Sequence, residues 1–289
     1  MADFRIYLVV MPISQAHVRR IFQKLDRDIL KLADESGDSV HSFRTSTRRL
    51  QTLLDQLLPK RDRNQKKLLK TLLHIRKRAG KIRDLDVQLA ALRSLKTPQE
   101  PRRKTQLMHR LIELHEKHDR KLRKSLKQND ISDLRKRLKR AGKAIDFESG
   151  HDPLSTAQQM LGQLARPQGP VPEELLHQYR MVCKRARYVA EFAAKSPESD
   201  QLIAQLKRAQ DALGGWHDWL LLTETAAKRL GDVGKSSLVA VLHNVTRAKF
   251  RRAVAALPIT TEVATQLPLK ARALPESADK PQAMSASAA

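Results

Sequence analysis

His41, Arg44 and Arg48 recur at helical intervals inside Val40-His41-Ser42-Phe43-Arg44-Thr45-Ser46-Thr47-Arg48-Arg49-Leu50. At 100° per residue these three line one helix face, while Val40, Phe43, Leu50, Leu54 and Leu57 form the adjoining apolar stripe. Guanidinium groups beside an imidazole suit anion binding, because the planar arginine fork can hold a phosphate through two parallel N–H bonds. One Arg-rich face alone would be read as solvated surface. A second copy changes that reading. Leu176-His177-Gln178-Tyr179-Arg180-Met181-Val182-Cys183-Lys184-Arg185-Ala186-Arg187 repeats the order, with His177 matching His41, Arg180 matching Arg44 and Lys184-Arg185 matching Arg48-Arg49. Gly80-Lys81-Ile82-Arg83-Asp84 is echoed by Gly214-Gly215-Trp216-His217-Asp218 at nearly the same separation, which argues for an internal duplication.

The charge of the whole chain points the same way. Its 289 residues hold 56 Lys and Arg against 31 Asp and Glu, a formal net charge of +25 that exceeds what solubility requires and implies a polyanionic partner. Nucleic acid, an acidic membrane and polyphosphate are the candidates. Aromatic residues make up only 4%, too few to stack many bases, so RNA and DNA are disfavoured. No stretch approaches the 18 or so apolar residues of a membrane span, so no membrane partner is expected. The one cysteine, Cys183, allows no intramolecular disulfide and suits a reducing cytoplasm; its spacing from Tyr179 and Ala186 places it on the apolar side of its helix.

Catalytic patterns are sparse. The chain has no G-x-x-x-x-G-K-[ST] loop and no G-x-G-x-x-G after a strand. His115 and His118 lie one turn apart without a third ligand, among Lys and Arg that repel a cation, so neither metal nor cofactor is expected. The chain is therefore expected not to be an enzyme. Acid/base chemistry on a phosphate ester by His41, or by His217-Asp218, is the competing expectation.

Helices must hold these rails, and no segment alternates with period two, so the class is all-α. An apolar leader covers 1–13, and Ser14 can cap a first helix carrying Val18, Ile21, Leu25, Ile29 and Leu32. The His41 helix should start at Asp38 or Ser39 and stop at Pro59. Apolar spacing from Leu68 to Leu92 predicts one helix or a pair, broken or kinked at Gly80 because glycine is costly inside a helix. Asp84 and Asp218 would then sit in first turns, favoured by the helix dipole; pairing of Asp84 with Arg83 or His41 is the alternative. Residues 102–140 read as a long, strongly basic helix. Four glycines and four prolines mark 142–172 as a linker, with a short helix over 153–165. Helices follow near 173–195, 199–213, 216–230 and 234–257, and the Pro/Ser/Ala-rich tail 258–289 is expected to be disordered.

The pattern VHxxRxxxRRL at 40–50, followed by LLxxLxxIRKxxGKIRDLDV at 68–87 and a degenerate second copy, resembles the CHAD family, the conserved-histidine α-helical domain. The resemblance covers roughly residues 14–257. It implies two four-helix bundles related by a pseudo-two-fold axis, here 14–141 and 173–257, around a basic cavity that binds inorganic polyphosphate. The residues expected to line that cavity are His41, Arg44, Arg48 and Arg49, with Arg76, Lys77 and Arg83, and then His177, Arg180, Lys184, Arg187 and His217. The second rail is thinner, with His217 where the first has Arg83 and Gln210-Asp211 where it has Arg76-Lys77. The expected function is non-catalytic polyphosphate binding in the cytoplasm, on polyphosphate granules; an RNA- or DNA-binding basic protein is the alternative.

Overall fold

Apolar residues at intervals of three and four give helices wherever the structure, a computed structural model, describes the chain: residues 13–34, 39–58, 60–97, 99–145, 152–164, 170–230 and 236–257. The expected leader before Ile13, the Asp38 cap, the stop at Pro59, parts of the 142–172 linker and the tail after Leu257 lie outside these residues. The described residues form nine helices and no strand: α1 (Gln15–Ala33), α2 (Ser39–Gln56), α3 (Arg63–Ser94), α4 (Pro101–Gln128), α5 (Ile131–Lys143), α6 (Pro153–Gly162), α7 (Glu173–Ala190), α8 (Pro197–Leu230) and α9 (Ser237–Ala255). The all-α class read from the sequence is what the structure shows.

Local chemistry sets several boundaries. Ser14 caps α1 by accepting from the His17 amide at 3.3 Å. Asp62 and Gln65 cap α3 reciprocally, each side chain accepting the other's backbone N–H. Asp130 accepts from Ser132 and Asp133 at the start of α5. That cap divides the helix expected across 102–140 into α4 and α5.

Two expected breaks are absent. α3 runs unbroken through Gly80 and α8 through Gly214-Gly215, over 32 and 34 residues. Each glycine costs a helix about 1 kcal/mol relative to alanine; the buried stripe on both sides of it outweighs that. Asp84 and Asp218 are therefore mid-helix residues, not first-turn residues.

The buried apolar side chains form two clusters. The larger takes Leu68, Leu72, Ile75, Ala79 and Ile82 from α3, and Leu202, Leu206, Ala209, Leu213 and Trp216 from α8, along with residues of α1, α2 and α7. Leu154, Ala157 and Leu161 of α6 belong to it too. The smaller takes Leu85, Leu89 and Leu92 from α3, Leu222 and Ala226 from α8, and residues of α4 and α9. Each long helix thus passes from one core into the other just beyond its glycine. Arg83-Asp84 and His217-Asp218 stand at that seam, where α3 packs on α8.

Candidate functional site

The roll of α2 about its axis is fixed from α1. Asp28, only 3% exposed, accepts from Ser42 Oγ at 2.8 Å and from Ser46 Oγ. Lys24 joins them, donating to Ser42 at 2.8 Å. With Ser42 and Ser46 held towards α1, Phe43 and Leu50 enter the core, and Arg44 and Arg48 turn away from it.

A second tie joins the two rails. Glu191, just past the end of α7, accepts from Arg49 Nε at 2.8 Å and Nη2 at 3.3 Å, and pairs with Arg187 Nη1 at 3.2 Å. Both guanidinium groups lie by the Tyr188 ring, 5.7 and 5.0 Å from its centroid. Arg49 and Arg187, both expected on the binding rails, are thus engaged in cross-linking α2 to α7.

Between the tied helices lies a cavity of about 350 Å³. Arg48, Gln51 and Asp55 from α2, Arg76 from α3, and Lys184, Arg185 and Tyr188 from α7 line it; α8 contributes nothing. Arg76 donates to Gln51 Oε1 at 2.7 Å. Asp55 is occupied by Arg61 at 2.6 Å.

Around this cavity the cations act on one another. Burial, then Arg48 and Arg44, pull Arg76 down to about 10. Burial, then Arg48, Arg180 and Arg44, pull Lys184 down to about 7. Arg44 is lowered by burial and by Arg48, with Asp84 opposing; Arg180 is lowered by burial, with Asp218 opposing. Arg83 acts on both Arg44 and Asp218. Among the described residues no ion pair engages Lys184. Arg44 Nη2 lies 3.3 Å from Asp84 Oδ1, but its Nε is buried without an acceptor. Gly80 leaves room here: an added Cβ would lie 4.0 Å from the Arg44 guanidinium, ordinary contact distance.

The histidines fall into two settings. The His177 and His217 rings are 5.5 Å apart, between α7 and α8. Burial, then Arg180, His177 and Lys184, push His217 down to about 4, so it is neutral in the free protein at neutral pH. Burial raises Asp218, and Asp84 adds to this. His41 is exposed one turn before Arg44, and Lys77 is exposed on α3 beside Arg76. Where a thicker second rail would continue, Asp211 pairs with Lys207 at 3.0 Å on the surface.

Sequence reasoning brought together Arg44, Arg48, Arg76, Arg83, Arg180, Lys184 and His217, and it missed their partners. Gln51 follows Arg48 by three residues and Arg44 by seven, so the helical face already contained it. Glu191 stands four after Arg187, an ordinary helical ion-pair spacing. No local signal joins Glu191 to Arg49 or Asp84 to Arg44. His115 bonds to Asp86 at 3.0 Å, and the described residues hold no group of three or more His, Cys, Asp or Glu suited to a metal. No described helix is long and apolar enough to cross a membrane.

Three comparisons bear on this arrangement. No curated protein sequence matches the chain. The CHAD domain of the plant Ricinus communis has a crystal structure similar to it, with TM-score 0.63, 17% identity, and coverage of 92% of this chain and 98% of that one. PptA from Streptomyces chartreusis is similar at TM-score 0.62 and 16% identity, covering 89% and 100%. The family model described as CHAD domain matches residues 13–227, which include α2, α3, α7 and the Trp216-His217-Asp218 stretch of α8, and the chain therefore belongs to the CHAD family.

Proposed function

We propose that this protein binds inorganic polyphosphate without turning it over, in the basic site that α2, α3 and α7 form beside His217 and Asp218 of α8, and that it resides on polyphosphate granules in the cytoplasm. The supporting observation is the crowding of Arg44, Arg48, Arg76, Arg83, Arg180 and Lys184, with Asp84 and Asp218 acting on four of them, Arg44, Arg83, Arg180 and Lys184, and Asp55 on Arg76. Such an excess of half-buried positive charge is costly until an anion enters. Each charge-assisted hydrogen bond to that anion contributes roughly 1.5–3 kcal/mol before ordering costs.

The ligand's form follows from what surrounds these cations. Trp216 is 1% exposed, Tyr179 is buried, and the Tyr188 ring at the cavity wall carries the Arg49 and Arg187 guanidiniums, so these rings are poorly placed to stack on a base. Polyphosphate has no rings to stack and carries charge along a thin, flexible chain. A catalytic reading finds little support: Cys183 is buried in the core with its thiol pushed up to about 12, and the low pKa of His217 is accounted for by burial and neighbouring cations.

The test is binding to long-chain polyphosphate at near-physiological salt, in competition with single-stranded RNA and duplex DNA of matched total charge. Polyphosphate should win by orders of magnitude, and a variant with Arg44, Arg48, Arg180 and Lys184 changed to Ala should lose that preference while staying helical. Equal competition by RNA, with the variant binding almost as well, would mean that the net charge acts diffusely. Absence of phosphate release, with and without divalent metal, is the expected control.

A further inference from the structure

The central site leaves much of the positive charge of α3 unexplained. From Arg63 to Arg83 this helix carries nine Lys and Arg and no Asp or Glu. Arg76 and Arg83 belong to the site. Lys66, Lys70 and Lys81 do not, and Lys77, expected from the sequence to line the cavity, is not among its lining residues: all four are exposed, and at 100° per residue they fall within an arc of about 60° on the outer side of the helix. The stripe runs about 22 Å, at 1.5 Å per residue.

Some cations elsewhere on this chain are neutralised from within their own helix. Lys207 pairs with Asp211, Arg110 with Glu113, Arg120 with Glu116, and Arg137 with Asp133. Among the described residues, no carboxylate pairs with any of the four lysines on this stripe. Their own spacing is unfavourable, since Lys66 and Lys70, and Lys77 and Lys81, are like charges four apart. A merely solvated face would gain stability from one glutamate here. The stripe is also continuous with other basic ground. Lys77 is the residue after Arg76, Lys81 follows Gly80, and Lys81 bears on His118 of α4 together with Lys121 and Lys117 of that helix. On α4, Glu116 and Asp119 pair with Arg120 and Arg123 of their own helix.

We propose that a linear polyanion seated in the central site continues onto this outer face of α3, so that long polyphosphate chains are gripped along two adjoining stretches and short ones along one. The inference rests on the polyphosphate reading above and adds a preference for chain length. A duplex nucleic acid could lie along the stripe but is too stiff and wide to turn from it into a cavity of about 350 Å³. A P–O–P backbone turns at every linkage.

The test uses the full chain and a variant with Lys66, Lys70, Lys77 and Lys81 changed to Gln, checked for helicity and melting. Each is titrated with tripolyphosphate and with long-chain polyphosphate over a range of salt. The variant should match the unaltered protein for tripolyphosphate within about twofold, while its long-chain affinity falls about tenfold or more with a shallower salt slope. Equal loss for both ligands would reveal a diffuse field and overturn the inference. So would a variant that matches the unaltered protein in both. If the unaltered protein binds neither ligand, the central-site reading itself fails. If duplex DNA proves to be the ligand lost on changing the stripe, the stripe serves another polyanion and the continuation is refuted.

Discussion

Arg44 Nη2 stands 3.3 Å from Asp84 Oδ1, and the two side chains differ sharply in setting: Arg44 is 11% exposed and Asp84 50%. The carboxylate therefore reaches in from water to an arginine that is nearly enclosed, so an incoming anion competes with Asp84 for the same guanidinium. Asp84→Asn should raise polyphosphate affinity by about two- to fivefold at low salt, the scale of a partly exposed ion pair. The same change should lower the melting temperature slightly, because Arg44 loses its counter-charge. Parallel titration and melting curves check both. A drop in affinity would mean that Asp84 aims Arg44 at the ligand.

The proposed site should owe its pH response to Lys184. Its pKa is about 7 in the free folded protein against an ordinary 10.5, with burial as the first cause and Arg48, Arg180 and Arg44 after it. Bound polyphosphate favours the ammonium, so binding near neutrality should take up protons, and affinity should fall as pH rises through about 7 and beyond. Lys184→Arg should flatten that part of the profile. An unchanged profile in that variant would exclude Lys184 as its source.

The same shift has a stability sign. The unfolded chain binds the Lys184 proton up to pH 10.5 while the folded chain releases it near 7, so this group's penalty is full below about 7, shrinks between 7 and 10.5, and vanishes above. Lys184→Met should therefore stabilise the unliganded protein at pH 7 by about 3 kcal/mol. The gain should fade by pH 10.5. His217, lowered to about 4, adds to the same slope between pH 6.5 and 4.

Glu191 separates the arginines that tie α2 to α7 from those proposed to bind. It is 11% exposed and holds Arg49 and Arg187 together, so Glu191→Ala should cost about 3 kcal/mol by leaving two half-buried cations without their acid. Arg49→Met should also lower the melting temperature, yet leave polyphosphate affinity within about threefold, because its guanidinium is already held by Glu191 beside the Tyr188 ring. Arg48→Met should do the opposite. If Arg49→Met abolishes binding in a protein that remains folded, Arg49 contacts the ligand after all.

The all-α class was legible because the 3.6-residue period runs through nearly the whole chain, and the cationic rails because the order His, Arg, basic pair occurs twice. The glycines misled because a local cost of about 1 kcal/mol is visible in sequence, while the tertiary packing that offsets it is not. Neighbouring cations were harder still. Arg48 faces the cavity and Arg49 faces Glu191, and the acid that makes the difference lies 142 residues away from Arg49. Asp84 was read through the dipole of a helix start that does not exist, so its pairing with Arg44, 40 residues earlier, went unseen.

The unbroken course of α3 and α8 assigns the adaptability of any complex to one side. Both helices are anchored in two separate cores, one before and one after the seam that carries Arg83-Asp84 and His217-Asp218. Neither can bend at its glycine to follow a ligand without disturbing packing at both ends. Rigid anions would then be accepted only where their charges already match the spacing of the arginines, whereas a chain that is free to rotate at every bridging oxygen can be threaded to suit a fixed template.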